Sequence, residues 1–237
     1  SRSAPSAAAS SDPADPAWRD LVHARLEASE YQPSEGPRGL TLTNRAQRLR
    51  AGFIDGGLHI TSMSAPDAPL RSASGGLAIT LTTVATLGEP QVGACDGTER
   101  RDARGECLRR VERAGDGLIE WWVNRPEGLE QGWTVEAPPV GGGPLQIALR
   151  VEGAEVEPVG DSRGDLHPDA DSASCAEGVL LVAGTHRLRY GGARAWDADG
   201  AELPARVLIT DGAPQLIVEV DDASATYPVT IDPLLTT

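Results

Sequence analysis

The chain has 237 residues, 35 of them acidic and 21 basic, for a formal net charge of −14, and every basic residue is arginine. Such an excess of carboxylates repels a polyphosphate backbone, and no basic stripe offsets it, so nucleic acid is not an expected partner. No apolar run approaches the roughly 20 residues that a bilayer-crossing helix needs, so the chain is not expected to span a membrane.

Ser1 to Pro16 is a tract of Ala, Ser, Pro and Asp without an apolar block and without an initiating methionine. It reads as a spacer left by a removed export signal, although a trimmed chain would start the same way. Asp15-Pro16 is a helix start, an N-cap acid followed by proline at the first helical position, and Trp18, Leu21, Val22 and Leu26 follow at helical spacing. Residues 1–30 are therefore expected to form a flexible spacer and a short helix.

From Tyr31 onward Gly and Pro punctuate the chain roughly every 8 to 12 residues between short apolar alternations, the spacing of turn signals by which sandwiches and barrels read. Strands are predicted over Leu40 to Thr43, Leu49 to Ile54, Leu58 to Met63 and Leu77 to Ala85. Cys95 and Cys107 then flank a polar insert with no means of burying itself. A disulfide closing so short a loop contributes about 3 kcal/mol in the chain-entropy model. The rival reading, a pair of metal ligands, needs partners at zinc-like spacing that Cys175 and the four histidines do not supply. A Cys95–Cys107 disulfide is expected, in keeping with an oxidising compartment, and Cys175 is left as the odd thiol.

Gly117 to Val151 reads as three consecutive strands. Ile119, Trp121 and Val123 alternate with Glu120, Trp122 and Asn124; Leu129, Trp133 and Val135 come after a Pro126-Glu127-Gly128 turn; Leu145, Ile147, Leu149 and Val151 alternate with polar or small residues. On this period Trp121 and Trp133 face the core and Trp122 points the other way. After the connection at Gly141-Gly142-Gly143-Pro144, the acid-rich excursion Gly160 to Glu177 is long for a compact domain, and its composition suggests disorder. Later strands are predicted at Gly178 to Ala183, His186 to Tyr190, Ala193 to Trp196, Ala205 to Thr210, Gln215 to Val220 and Ala225 to Ile231. In the last of these, Pro228 lacks an amide donor, which is expected to place the strand at or near a sheet edge and to let the chain pass on after Asp232. The predicted fold class is all-β, a large β-sandwich over residues 31–237 with a short N-terminal helix and long polar loops.

Several stretches carry a family resemblance: Leu26 to Tyr31, Asn44 to Arg50, Gly117 to Trp133 with Asn124 and Leu129-Glu130-Gln131-Gly132 at its centre, Leu188-Arg189-Tyr190 with Ala195 to Gly200, and Tyr227 to Leu235. Their order resembles the β-rich N-terminal module of exported bacterial, myxobacterial-type multidomain surface proteins, which precedes FG-GAP or similar propeller-like repeat arrays. The resemblance implies a module without a catalytic site or cofactor. The cysteine pair departs from that pattern.

Four constellations invite a chemical reading. Gly160-Asp161-Ser162-Arg163-Gly164 matches the nucleophile-elbow spacing, with His186 downstream, but the adjoining Asp165-Leu166-His167-Pro168-Asp169 cannot start the helix that an elbow requires, and a polar turn is expected. Asp197-Ala198-Asp199-Gly200-Ala201-Glu202 resembles the opening of a calcium loop but is incomplete, so an Asp-Gly turn is the expectation. Calcium binding by the acidic loop 160–177 is the rival to a merely solvated loop. The acid pairs Asp116/Glu120 and Glu127/Glu130 are of the kind glycosidases place across a cleft, with nothing in the sequence to fix their separation. No catalytic, cofactor or metal residue is assigned. The expected function is a non-catalytic structural or interaction module of a secreted or cell-surface multidomain protein, with downstream domains of the same polypeptide or neighbouring protomers as partners. The alternatives are a carbohydrate-binding or adhesion module that offers glycans an exposed Trp122 and an acidic loop, and a polysaccharide-active enzyme.

Overall fold

The strong two-residue alternation produces strands almost throughout the computed structural model, which describes residues 16, 18–20, 22, 30–37, 39–63, 77–93, 109–159, 174–176, 178–210 and 215–237. In chain order the strands are β1 (Ser34–Gly36), β2 (Gly39–Asn44), β3 (Leu49–Ile54), β4 (Gly57–Ser62), β5 (Ala78–Thr83) and β6 (Gln91–Val92). Next come β7 (Val111–Gly115), β8 (Leu118–Arg125), β9 (Gly128–Val135), β10 (Leu145–Glu152), β11 (Glu155–Pro158) and β12 (Ser174–Ala176). The last are β13 (Gly178–Ala183), β14 (His186–Trp196), β15 (Glu202–Leu203), β16 (Ala205–Thr210), β17 (Gln215–Val220) and β18 (Val229–Thr236). Pro16, Trp18 to Asp20 and Val22 are helical, and Trp18 and Val22 are half-buried while Pro16, Arg19 and Asp20 are exposed, in keeping with the predicted amphipathic helix.

The strands form two antiparallel sheets, and the fold class is the predicted β-sandwich. Sheet A runs β1-β2-β3-β4-β5-β10-β17-β16-β12, and sheet B runs β11-β13-β14-β18-β9-β8-β7-β6 with β15 paired to β14. Tight hairpins set much of the register. Ile54 pairs with Gly57 across Asp55-Gly56, and Gly115 with Leu118 across Asp116-Gly117. Both central residues of each turn have positive φ, 49° and 79° in the first and 42° and 77° in the second, the primed turn whose twist matches the flanking strands. The outermost strands of both sheets are only two to four residues long, which leaves little free edge for another chain to extend.

Between the sheets lies one hydrophobic core. Leu42, Ile60, Leu81, Leu149 and Val218 from sheet A meet Trp122, Leu129, Trp133, Tyr190, Ile231 and Leu235 from sheet B. Burying that apolar surface stabilises the fold at roughly 25 cal/mol per Å². Two expectations fail here. On β8 it is Trp122, 1% exposed, that enters the core, while Trp121 and Val123 pack on the outer face of sheet B in a second cluster with Tyr31 and Ile119. Apolar periodicity picked the wrong face because both faces of β8 are buried, and the one turned to the core carries Glu120 and Asn124 beside Trp122. The closing strand is also not at an edge. β18 lies inside sheet B between β14 and β9, with Val229, Ile231 and Leu235 fully buried. Pro228 precedes the strand. Pro233 falls opposite a β-bulge of β14, between Gly191 and Arg194, where the ladder is already interrupted and a missing amide is tolerated.

Candidate functional site

Polar side chains occupy two places in this sandwich, and they differ in what they can do. The first is the interior. Glu120 is 2% and Arg113 7% exposed, and they face each other across the β7–β8 ladder. The Thr83 hydroxyl donates to Glu120 Oε1 at 2.6 Å, Gln131 Nε2 donates to the same oxygen at 2.9 Å, and Arg113 Nη1 donates to Oε2 at 3.3 Å. Trp133 Nε1 donates to Thr83 Oγ1 at 3.1 Å, and the Tyr190 hydroxyl donates to Gln131 Oε1 at 2.8 Å. Arg113 also caps the carbonyls of Gly56 at 2.7 Å and Gly88 at 3.2 Å. Because Thr83 belongs to sheet A and the rest of the chain of bonds to sheet B, the network ties the two layers together. Burial, and after it the charges of Glu120 and Asp232, pushes the Tyr190 phenol well above its usual range, so it stays a donor.

A second inter-sheet clasp lies along the same strands. Asn44 Nδ2 donates to Asn124 Oδ1 at 2.9 Å and to the Arg125 carbonyl at 2.6 Å, and Asn124 Nδ2 donates to the Thr43 carbonyl at 2.8 Å. Gln47 adds its own backbone N–H to Asn44 Oδ1 at 2.9 Å and its Nε2 to the Pro126 carbonyl at 3.0 Å. These two networks account physically for Asn44, Gln47, Asn124, Gln131 and Tyr190 in the stretches singled out from sequence. A buried amide or carboxylate needs a partner of matching geometry, and each supplies one.

The second place is the outer face of sheet B. There a groove of about 1110 Å³ crosses four strands, with Arg110, Trp121, Arg125, Thr134, Arg189, Arg194, Trp196, Thr230, Asp232 and Thr236 among its lining residues. The register sets its floor. Trp196 faces Thr230 and Thr230 faces Thr134 in one cross-strand row. In the next row Arg194 faces Asp232, while Gly132 faces Trp121. A Cβ on Gly132 would lie 2.1 Å from the Trp121 ring, so the missing side chain is what lets the indole lie across the sheet. Arg110 stacks over Trp121 at 5.6 Å from the ring centre and Arg194 over Trp196 at 4.9 Å. Arg110 pairs with Glu112, Arg194 with Glu202 at 3.1 Å, and Arg125 with the fully buried Glu130 at 2.9 Å. Arg189 has no carboxylate partner among the described residues. The indole N–H of Trp121, a residue 5% exposed, has no hydrogen-bond partner among them either.

The residues raised from sequence are scattered by the fold. Cys95, Cys107, Ser162 and the Gly160 to Ala173 part of the acidic loop lie outside the described residues, and of Cys175 only the backbone is described, in β12. His186 opens β14, half-buried. Glu120 faces the interior whereas Glu130 faces outward on β9, so the two buried acids sit on opposite faces of sheet B, and Asp116 and Glu127 occupy exposed turns. The glycosidase pairs are therefore not assembled across a cleft. Trp122 is in the core and offers no exposed platform for a glycan.

Asp197 closes the predicted Asp-Gly turn. Its Oδ1 accepts from the backbone N–H of Asp199 at 3.0 Å and Ala201 at 2.8 Å, and its Oδ2 from Thr226 at 3.2 Å. The Thr226, Ala201, Asp199 and Gly200 amides hold its carboxyl below the usual range, and oxygens so engaged are poor calcium ligands. Among the described residues no group of three or more His, Cys, Asp or Glu is arranged to hold a metal ion.

The outer-face groove was missed in the sequence. Its signal lay in the polar alternates of apolar strands: Arg189 beside Leu188 and Tyr190, Arg194 beside Ala195, and Thr230 and Asp232 around Ile231. Comparison of the chain with protein-family models, with curated proteins and with solved structures returned no match.

Proposed function

We propose that the chain is a non-catalytic structural or interaction module of a secreted or cell-surface multidomain protein. One observation carries the reading: the buried acids that sequence singled out for chemistry are committed to holding the sandwich together, Glu120 between the sheets and Glu130 against Arg125. A general acid or nucleophile must reach a substrate atom, and Glu120 is enclosed by Thr83, Arg113 and Gln131. What faces outward is a groove of guanidinium, hydroxyl and indole groups, a set suited to binding. Short sheet edges favour contact through a sheet face over strand addition, whether the partner is a downstream domain of the same polypeptide or a neighbouring protomer. The resemblance of the motif order to exported bacterial modules supports the same reading, as does the Cys95/Cys107 spacing.

The test is twofold. Polysaccharide, ester and glycoside substrates incubated with the domain and followed by mass spectrometry should be recovered unchanged. Turnover that disappears in a folded Glu120→Gln variant would overturn the non-catalytic reading. Non-reduced peptide mapping should find Cys95 joined to Cys107, and two readily alkylated thiols at these positions would count against export.

A further inference from the structure

We infer that the outer-face groove of sheet B is a binding site for a carboxylate-bearing polysaccharide, an inference that rests on the interaction-module reading. Arg110 lies over Trp121 and Arg194 over Trp196, which leaves a guanidinium's edge turned outward for a carboxylate. That edge now meets protein carboxylates, Arg110 Nε on Glu112 and Arg194 Nε and Nη2 on Glu202 Oε1. The two arginines flank a row that runs from Trp121 over Gly132 to Asp232 and Arg194. At roughly 4.8 Å per strand step, the three steps from β8 to β14 separate the two ends by about 14 Å, room for more than one sugar residue. The carboxylate now paired with Arg194 does not block it. Arg194 and Glu202 are each 59% exposed, and an exposed pair of this kind exchanges readily for a ligand carboxylate. Arg189, with no carboxylate partner among the described residues, adds a third positive group at the end of the groove.

A glycan fits this floor better than an acidic peptide. Away from the β14 bulge between Gly191 and Arg194, the floor is a sheet face whose strands are already paired on both sides. It therefore offers few backbone donors or acceptors to an extended peptide, most of whose own amides would go unmatched. A uronate chain carries hydroxyls, carboxylates and ether oxygens, with no amide to leave unmatched. Thr134, Thr230, Thr236 and Asp232 present hydroxyl and carboxylate partners for its hydroxyls. The chain's net charge of −14 acts at long range and is screened beyond a Debye length of about 8 Å at physiological salt, so the local arginines decide the contact.

The experiment is calorimetric titration of the intact domain with oligogalacturonate, its carboxyl-reduced neutral counterpart, poly-glutamate and single-stranded DNA, with the oligogalacturonate recovered and weighed by mass spectrometry. Oligogalacturonate should bind, the neutral counterpart should not, and affinity should fall with salt. Arg110→Gln and Arg194→Gln, both on exposed or half-buried side chains, should each weaken binding by about tenfold or more, as loss of one charge-assisted contact implies, with circular dichroism unchanged. A full-strength response in both variants, equal binding of the neutral sugar, preference for poly-glutamate or DNA, or no binding at all would overturn the proposal. Shortened oligogalacturonate on recovery would instead overturn the non-catalytic reading on which it rests.

Discussion

Replacing Glu120 by glutamine probes the interior network with almost no change of shape. The amide oxygen can still accept from Thr83 and Gln131, which now meet Glu120 Oε1 at 2.6 and 2.9 Å. What is lost is the negative charge opposite Arg113, whose side chain is 8% exposed against 3% for Glu120. A buried cation stripped of its counter-charge typically costs about 3–5 kcal/mol. The carbonyls of Gly56 and Gly88 continue to accept from Arg113 and offset part of this, so about 3 kcal/mol is expected. Against a typical domain stability of about 5–15 kcal/mol, the variant should remain folded but unfold at a clearly lower urea midpoint, with an unchanged slope. Combining Glu120→Gln with Arg113→Met keeps an acceptor for Thr83 and Gln131 and removes the uncompensated cation, and should recover part of the loss, less the cost of leaving the Gly56 and Gly88 carbonyls without their donor. A Glu120→Gln variant within about 0.5 kcal/mol of the parent, the range of ordinary surface substitutions, would refute the claim that this is a buried, mutually dependent pair within sheet B.

Gly132→Val should force the Trp121 ring off the sheet, at about 1–3 kcal/mol of overpacking, and near-ultraviolet circular dichroism should report the displaced indole; an unaltered spectrum would contradict the packing. Ending the chain after Asp232 should abolish cooperative unfolding, since it removes Leu235 from the core along with its pairing to Leu129 and Tyr190; a soluble, cooperatively melting 1–232 fragment would count against the central placement of β18. The lowered Asp197 carboxyl means that its contribution to stability is present above its unfolded value near 3.9 and is lost as pH falls through the lower folded value. NMR titration should find it below the usual aspartate range and should find no such group in Asp197→Asn. The Tyr190 and Tyr227 phenols are both raised, Tyr190 chiefly by burial and Tyr227 by burial and its bond to Asp222. Their contribution is therefore intact below about pH 10 and is lost as pH rises beyond it, so ultraviolet titration should show the fully buried Tyr190 ionising only with unfolding.

Much of the architecture was legible because most strands have one buried face. Leu49–Ile54, Gly178–Ala183, Ala205–Thr210 and Gln215–Val220 fall where alternation and turn residues placed them. Failure came where that premise broke. β8 and β9 are buried on both faces, so the apolar series Ile119, Trp121, Val123 and the polar-aromatic series Glu120, Trp122, Asn124 could each claim the core. The second series holds it because its polar members find partners from the opposite sheet, a long-range match that spacing along one strand does not encode. Pro228, read as the mark of an edge, falls just before β18 and costs its ladder nothing, while Pro233 inside the strand is accommodated by a bulge in β14, a strand distant in sequence. Short strands such as Gln91–Val92 and Glu202–Leu203 are too brief to show a period. The interior clasps were visible only as residue identities, and the groove was hidden because its arginines and threonines occupy the positions that a two-residue period assigns to solvent.

The central claim is that this chain acts through the outer face of sheet B and not through chemistry in its interior. Hydroxyl-radical footprinting of the domain with and without saturating oligogalacturonate tests it most directly. The account predicts that Trp196 and neighbouring groove side chains lose reactivity when the oligosaccharide is present, while Trp122 and Trp133, 1% and 0% exposed, stay unreactive in both. Unchanged labelling along the groove, with protection appearing only on the outer face of sheet A, would contradict it.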